Sequence, residues 1–475
     1  MIMPDDFKAQ FERVADWIDG YYRDARRYPV LSRYKPGELV GALPSEAPEQ
    51  GESFDAIFAD FEKLIVPGIT HWNHPRFFAY FAISAAPISV LAEMLAAALD
   101  VNAMLWRTSP SATELEDVVT AWLARLMQLP EHLHGIIYDT ASISGFTALA
   151  AARQQAEPSI RMKGMAGRAD LAPLRIYITD QTHNHIEKAA IALGIGQENV
   201  IKIPCDAQFA MKPDALAAQI EADLAAGMKP MCVCATVGTT STTSSDPLSA
   251  IAEVTRKHSV WLHVDAAYAG PATILPEIRP ILDGVEHADS LVMNPHKWMF
   301  VPVDLSVLYV REPEILRRAF SLVIDILYTP EVGVHNYMDY GLQLGRRFRA
   351  LKLWFVLRHY GAAEIRKKLR SHIALAQEFA GWVKAEDGWE VSAPHPLSVV
   401  CFRYVGDGGA PEVIDVRNQA IADEVNATGE IFISTTRLHG RLVLRLAIGN
   451  ERTTREDVEL AWRLIRQHAR TKVQA

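Results

Sequence analysis

From Gly135 onward the chain repeats one pattern, a short apolar run followed by a stretch with helical spacing, and this constrains its fold more than any other feature. Candidate strands are Gly135 to Tyr138, Arg175 to Thr179, Val200 to Ile203, Met231 to Val237, Val260 to Asp265, Ser290 to Met293 and Leu305 to Val310. Helical stretches near Gly145 to Arg153, Ile186 to Leu193, Pro213 to Ala226 and Pro247 to His258 lie between them. Strands that are apolar throughout have both faces covered, and strand-helix alternation implies crossover connections. The expected class is therefore α/β, with a mainly parallel central sheet clad by helices on both faces. In such a sheet a ligand binds outside the carboxyl ends of the strands, so polar residues at those ends are the first candidates for function.

The flanks carry different patterns. Phe7, Phe11, Val14, Ile18 and Tyr21 fall on one helical face, with Pro4 and Asp5-Asp6 as start signals and Gly20 near the end. From there to His71 the chain is rich in proline and glycine, and its aromatic residues have no local core, which suggests packing on a partner subunit. An alanine-rich helix is expected from Pro87 to about Asp100. A second is expected to start at Ser111 or Thr113, each followed three residues on by Glu114 or Glu116 at capping-box spacing. After the sheet come helices over Arg346 to His359 and Ala362 to Val383. The tail then reads as strand (Leu397 to Tyr404), helix (Val413 to Asn426), strands Ile431 to Thr435 and Leu442 to Ala447, and a closing helix from Thr453. At 475 residues the chain exceeds what one core normally organises. The expected cut is an N-terminal helical segment (1–88), a large domain (89–370) and a small C-terminal α+β domain (371–475).

Charge and composition exclude several classes. A net charge of -9 from 48 basic and 57 acidic residues argues against a nucleic-acid partner. No basic leader with an apolar core and no long apolar span is present, so no membrane association is expected. Four cysteines, Cys205, Cys232, Cys234 and Cys401, are too few for a disulfide framework, which fits a cytoplasmic location.

Several polar residues stand at or just past candidate strand ends. The sequence Ser290-Leu-Val-Met-Asn-Pro-His-Lys-Trp298 runs an apolar strand into one lysine. Lys297 either carries its ammonium out to water or is a partly desolvated amine that attacks an aldehyde. In His263-Val-Asp-Ala-Ala-Tyr-Ala-Gly270 a strand ends in Asp265, which is costly there unless paired with a cation such as a protonated ring nitrogen; the alternative is a local turn or ion pair. Small residues at Ala266, Ala267 and Ala269 leave room for a flat ring, and His183 could stack on its other face. Ser142 stands just before the helix expected near Gly145, where free N–H groups favour an anion, or it is a plain N-cap. A phosphate anchor, an acid for a ring nitrogen, a flat slot and an imine-forming lysine are together the parts that pyridoxal 5'-phosphate requires. The histidine pairs His71/His74 and His183/His185 lack the His-Glu-x-x-His pattern, so no metal site is expected.

With those residues in view, the sequence resembles the group II pyridoxal-phosphate decarboxylases, specifically their aromatic L-amino-acid decarboxylase branch. The resemblance runs from about Phe7 to the last helix. It is carried by Thr70-His-Trp-Asn-His-Pro-Arg-Phe-Phe-Ala-Tyr-Phe81, Ser109-Pro-Ser-Ala-Thr-Glu-Leu-Glu116, His263 to Gly270, Asn294-Pro-His-Lys-Trp298 and Gly345-Arg-Arg-Phe-Arg-Ala-Leu-Lys-Leu-Trp354. It implies an aspartate-aminotransferase-type (fold type I) α/β enzyme working as a homodimer. Lys297 would form the imine with the cofactor, Asp265 would hold the pyridine nitrogen and His183 would stack on the ring. Ala141, Ser142 and Asn294 match phosphate-side positions, and Thr240, Ala267 and His296 match further cofactor contacts.

The family's catalytic loop corresponds to about Tyr328 to Tyr340. Counting back from Gly345-Arg346-Arg347 sets Tyr337 on the tyrosine that protonates the substrate carbon after carbon dioxide leaves. Relatives with phenylalanine there tend to make aldehydes oxidatively, so the resemblance implies a true decarboxylase. Trp72, Tyr80 and Phe81 match substrate-pocket positions. Asn102 and Met104 match positions reaching in from the partner, where aliphatic and aromatic residues are usual. Ala82 replaces a common proline, and Asp139 and Ile143 flank Ala141-Ser142 where glycine and an acid are common. Arg107 reads either an acidic substrate group or, more blandly, a surface ion pair. Tryptophan, tyrosine, dopa and phenylalanine are the candidate substrates, with a non-aromatic amino acid or oxidative aldehyde synthesis as the alternatives.

Overall fold

A computed structural model of the chain describes residues 6–322, 327, 329–406 and 408–471. The chain divides into two compact units, one made of Met1–Ala82, Gln377–Ser392 and Cys401–Ala475, the other of Ile83–Ala376 and Ala393–Val400.

The larger unit is built on a seven-stranded sheet of β1 (His134–Tyr138), β2 (Leu174–Ile178), β3 (Val200–Lys202), β4 (Lys229–Thr236), β5 (Trp261–Asp265), β6 (Ser290–Met293) and β7 (Ser306–Val310), in the order β1-β7-β6-β5-β4-β2-β3. The run from β6 to β3 is parallel, while β7 is antiparallel to both β6 and β1. Each expected strand is present, and β5, β6 and β7 are buried along their whole length. The helix Ala141–Ala156 lays Ala148 to Ala152 against this core, where side chains no larger than methyl or isobutyl let helix and sheet approach closely.

Two expectations are corrected. The helix placed near Gly145 opens earlier, at Ala141, so Ser142 lies inside its first turn and not before it. The helix expected to start at Ser111 or Thr113 is Pro110–Leu126, and neither capping box forms. Proline sets the first turn because its missing N–H costs nothing there. Ser109 Oγ donates back to the carbonyl of Leu105 (3.1 Å), and Glu116 turns into the core to accept the Ile137 N–H (2.8 Å). The two helices expected after the sheet are both present within Ala350–Ala385, separated where Gly361 takes a non-helical φ of 65°.

The smaller unit carries the N-terminal helix Phe7–Arg23, which runs past Gly20; Pro4 and Asp5 lie outside the described residues. Its four-stranded sheet comprises β8 (Trp389–Val391), β9 (Val399–Tyr404), β10 (Ser434–Leu438) and β11 (Arg441–Ala447), ordered β10-β11-β9-β8. Strand β8 was not expected, and β10 is displaced from Ile431 to Thr435. The register follows from a two-residue hairpin at His439-Gly440, with Leu438 opposite Arg441 and φ of 48° and 78° at the two turn residues. A hairpin turn with both central φ positive matches strand twist, and this one brings Arg437 and Leu438 into the ladder.

Candidate active site

The carboxyl ends of three neighbouring strands are level. Thr236 of β4 lies opposite Asp265 of β5, and Asp265 lies opposite Val292 of β6. Just past β6 the Asn294 N–H donates to the carbonyl of Ala267 at 3.0 Å, locking the two strand exits together. One helical turn follows, Pro295–Trp298, and it presents Lys297. Trp298 anchors that turn. Its buried ring stacks on Tyr268 at 4.7 Å, and its N–H donates to His372 Nδ1 at 3.0 Å. Such stacking contributes ~0.5–1.5 kcal/mol beyond area burial, so the residue after Lys297 is held firmly.

Asp265 is buried at 4% exposure and accepts the Ala267 N–H at 3.0 Å. Burial alone would raise its pKa; the neighbouring His185 ring, the Lys297 ammonium and the Ala267 bond more than offset this and hold it below the usual carboxylate value. His183, exposed on its outer side, has its pKa lowered by burial of the rest of the ring and by Lys297. Behind it His185 and His263 are buried and pushed down to about 4, so both are neutral near pH 7. The structure thus gathers Lys297, Asp265 and His183 into one electrostatic group.

The remaining cofactor candidates surround it. Ala141 and Ser142 occupy the first turn of the helix after β1, where backbone N–H groups have no partner within the helix. Thr240 is exposed beside buried Thr239, and Ala267 is buried. His296 is buried, its Nδ1 accepts the Leu305 N–H at 2.9 Å, and burial with the nearby Lys297 and Lys352 pushes its pKa to about 3. Asn294 is 1% exposed, and among the described residues its Oδ1 has no hydrogen-bond partner. A buried acid acted on by Lys297 and helix N–H groups without a partner inside the helix fit the ring nitrogen and the phosphate of pyridoxal phosphate, and the unengaged Asn294 Oδ1 is a further acceptor there.

Other candidates lie apart from this group. Tyr337 is buried in the sheet's hydrophobic core, in a short turn Tyr337–Tyr340; its hydroxyl donates to Asp117 and Arg346 lies 4.5 Å from its ring centroid. Burial and the carboxylates of Glu116 and Asp117 raise its pKa well above the usual phenol value. Of the expected loop, Tyr328 lies outside the described residues. Asn102 accepts the Arg346 N–H at 2.9 Å, and Met104 accepts the Met338 N–H through its carbonyl at 3.1 Å, so both brace the segment around Tyr337. Arg107 makes an exposed ion pair with Glu331 at 3.8 Å, the blander of its two readings. Trp72, Tyr80 and Phe81 belong to the smaller unit. There Trp72 stacks on Tyr80 at 5.6 Å, and Arg445 sits 4.8 Å from the Phe81 ring. Sequence reasoning missed the Glu116–Arg346 pair, Asp117 and the role of His185, whose only signal was its spacing from His183.

Comparison with known proteins agrees with this geometry. The pyridoxal-dependent decarboxylase conserved domain matches residues 36–405. Tyrosine decarboxylase 4 of Petroselinum crispum is 40% identical, over 98% of this chain and 94% of its own. Phenylacetaldehyde synthase of Arabidopsis thaliana is 39% identical, over 96% of this chain and 94% of its own. A crystal structure of Oryza sativa TDC with PLP and tryptamine superposes with a TM-score of 0.95 at 35% identity, covering 99% of this chain and all (100%) of that one. The fold is that of a pyridoxal-phosphate enzyme. The chain belongs to the pyridoxal-dependent decarboxylase family, and its cofactor is pyridoxal phosphate.

Proposed function

We propose that the protein decarboxylates an aromatic L-amino acid, with tryptophan, tyrosine, dopa and phenylalanine as candidates, to the amine and carbon dioxide. The observation that carries this reading is Asp265, buried at the carboxyl end of its strand and held below the usual carboxylate range in part by Lys297, whose charge also acts on His183. Bound pyridoxal phosphate supplies an electron sink for the pair released from the bond to the departing carboxylate. The carboxylate of Asp265 keeps a proton on the ring nitrogen, which maintains that sink. Lys297 would attach the cofactor through Nζ, and His183 would pack against its ring. Ala141 and Ser142 at the helix N-terminus, with Asn294, hold the phosphate; Thr240, Ala267 and His296 complete the cofactor surround.

Trp72, Tyr80, Phe81, Asn102 and Met104 are proposed to form the substrate surround, as flat aromatic walls suit a flat side chain. Tyr337 donates the proton that replaces the carboxylate, which requires its hydroxyl to exchange Asp117 for the substrate carbon. A homodimer is supported by the exposed Leu91, Leu95 and Leu99, one apolar stripe on the helix Pro87–Leu99. Free thiols at all four cysteines suit a reducing cytoplasm, and among the described residues no helix is long and apolar enough to cross a membrane.

The test is carbon dioxide release across the standard amino acids plus dopa, with the cofactor's visible absorbance recorded for wild type and Lys297→Ala. Release only from non-aromatic substrates, or a spectrum unchanged by Lys297→Ala, overturns the proposal. Tyr337→Phe is expected to divert product from amine to aldehyde with hydrogen peroxide; an unchanged amine yield removes Tyr337 from this role. Aldehyde as the main wild-type product favours the synthase alternative, consistent with a relative that is a phenylacetaldehyde synthase.

A further inference from the structure

Directly behind His183 lies a second imidazole with no assigned task. The backbone N–H of His185 donates to His183 Nδ1 at 3.3 Å, and because a backbone N–H can only donate, that ring nitrogen is an acceptor. The two Nδ1 atoms are 3.0 Å apart, so the proton between them belongs to His185 Nδ1. Two consequences follow for neutral rings. His183 carries its own proton on Nε2, and His185 Nε2 is a bare acceptor. His185 Nε2 is buried and among the described residues has no hydrogen-bond partner, so no competing bond sets the His185 tautomer from that side.

The ring of His185 cannot easily move away. It is 3% exposed and seated on Gly145, where an added Cβ would stand 2.6 Å from both Cδ2 and Nε2. The absence of a side chain at Gly145 creates the slot. The charged and titratable groups acting on the pair are Lys297, Asp265 and Lys188 on His183, and Asp265, His263 and Lys297 on His185. Burial keeps His185 neutral, with its pKa pushed down to about 4, so its Nδ1 proton is available to one acceptor only.

We infer that His185 is a positioning residue that locks His183 in the Nε2-protonated tautomer, so that His183 meets the cofactor and substrate with a hydrogen-bond donor and not an acceptor. This rests on the proposed placement of His183 against the cofactor ring. The lock also fixes the sign of a titration change. A hydrogen bond donated to Nδ1 stabilises neutral His183, so its loss raises the His183 pKa.

The experiment uses the full-length, pyridoxal-phosphate-loaded protein with ¹⁵N-labelled histidine rings, His183 being assigned by its disappearance in His183→Gln. Wild type is expected to show His183 with Nδ1 bare and Nε2 protonated at pH 7.5; an Nδ1-protonated or charged ring overturns the proposal without any variant. His185→Asn keeps a donor where Nδ1 stood, so tautomer and pKa are retained. His185→Leu and His185→Gln lack that side-chain donor and leave His183 Nδ1 only the longer 3.3 Å bond from the residue-185 backbone N–H, so a measurable fraction of His183 shifts to the Nδ1-protonated tautomer, its pKa rises, and kcat falls about 10- to 100-fold while KM changes less. An unchanged tautomer in both of those variants, or His185→Asn behaving like His185→Leu, also overturns it. Because the tautomer is read apart from turnover, a wrong substrate assignment leaves this result intact.

Discussion

Removing the carboxylate of Glu116 should destabilise the larger unit, because that carboxylate is the partner of a buried guanidinium. Arg346 is 8% exposed and donates to Glu116 Oε1 at 2.7 Å, to the Ile137 carbonyl at 2.6 Å and to the Ala103 carbonyl at 3.3 Å. Glu116, itself 3% exposed, also accepts the Ile137 N–H at 2.8 Å, so one carboxylate satisfies a charge and a backbone donor of β1. Breaking a buried pair from one side costs ~3–5 kcal/mol, since the remaining charge stays out of water. In a unit of roughly 300 residues the unfolding entropy is about 0.6 kcal/mol per kelvin. Glu116→Leu should therefore lower the melting midpoint by about 5–8 °C at a fixed scan rate and saturating cofactor. The double variant Glu116→Leu/Arg346→Met removes both charges and should recover at least half of that loss. A shift under about 2 °C for Glu116→Leu, or a double variant no more stable than the worse single, would refute the reasoning.

Acidification should destabilise the larger unit through its neutral buried histidines. His185 and His263 have pKa values of about 4 and His296 of about 3, all pushed down chiefly by burial, against about 6.5 when unfolded. Depressed values mean that the unfolded chain takes up protons first, so this stability is complete above pH 6.5 and lost as pH falls toward 4. Asp246, pushed up to about 6 by burial, opposes this with one proton. The net uptake of about two protons predicts a loss near 3 kcal/mol per pH unit between pH 6 and 4.5; denaturation midpoints that are flat over that window would contradict it. Gly145→Ala should displace the His185 ring and raise the His183 pKa as His185→Leu does, with secondary structure by circular dichroism unchanged. Asp117→Asn should weaken the hold on the Tyr337 hydroxyl, and the Tyr337 phenol pKa, read by ultraviolet difference titration, should fall as the negative charge is lost.

Much of the large sheet is legible from the chain alone because the information is local. A strand covered on both faces is apolar along most of its length, and β4, β6 and β7 read that way. The order of strand ends also sets Asp265 and Lys297 at the mouths of successive strands before any coordinate is known. Where side chains decide between local and distant partners, sequence reasoning errs. Thr113 and Glu116 have the spacing of a capping box, but Glu116 prefers Arg346, 230 residues away, because a buried guanidinium binds a carboxylate more strongly than a frayed helix end does. The hairpin at His439-Gly440 lacks the usual turn dipeptide, and only pairing with β11 reveals that β10 continues to Leu438.

The same division runs through the site. The sequence by itself determines which chemistry is available, an amine, an acid and an imidazole at strand ends, because residue type and strand position suffice for that. Only the tertiary structure decides how each group is held. Trp298 packs on Tyr268 behind Lys297, Asp265 stays ionised among His185, Lys297 and the Ala267 N–H, and the phenol of Tyr337 is tied to Asp117. These outcomes depend on burial and on charges brought within a few ångströms by the fold. Neither quantity is carried by the order of residues along the chain.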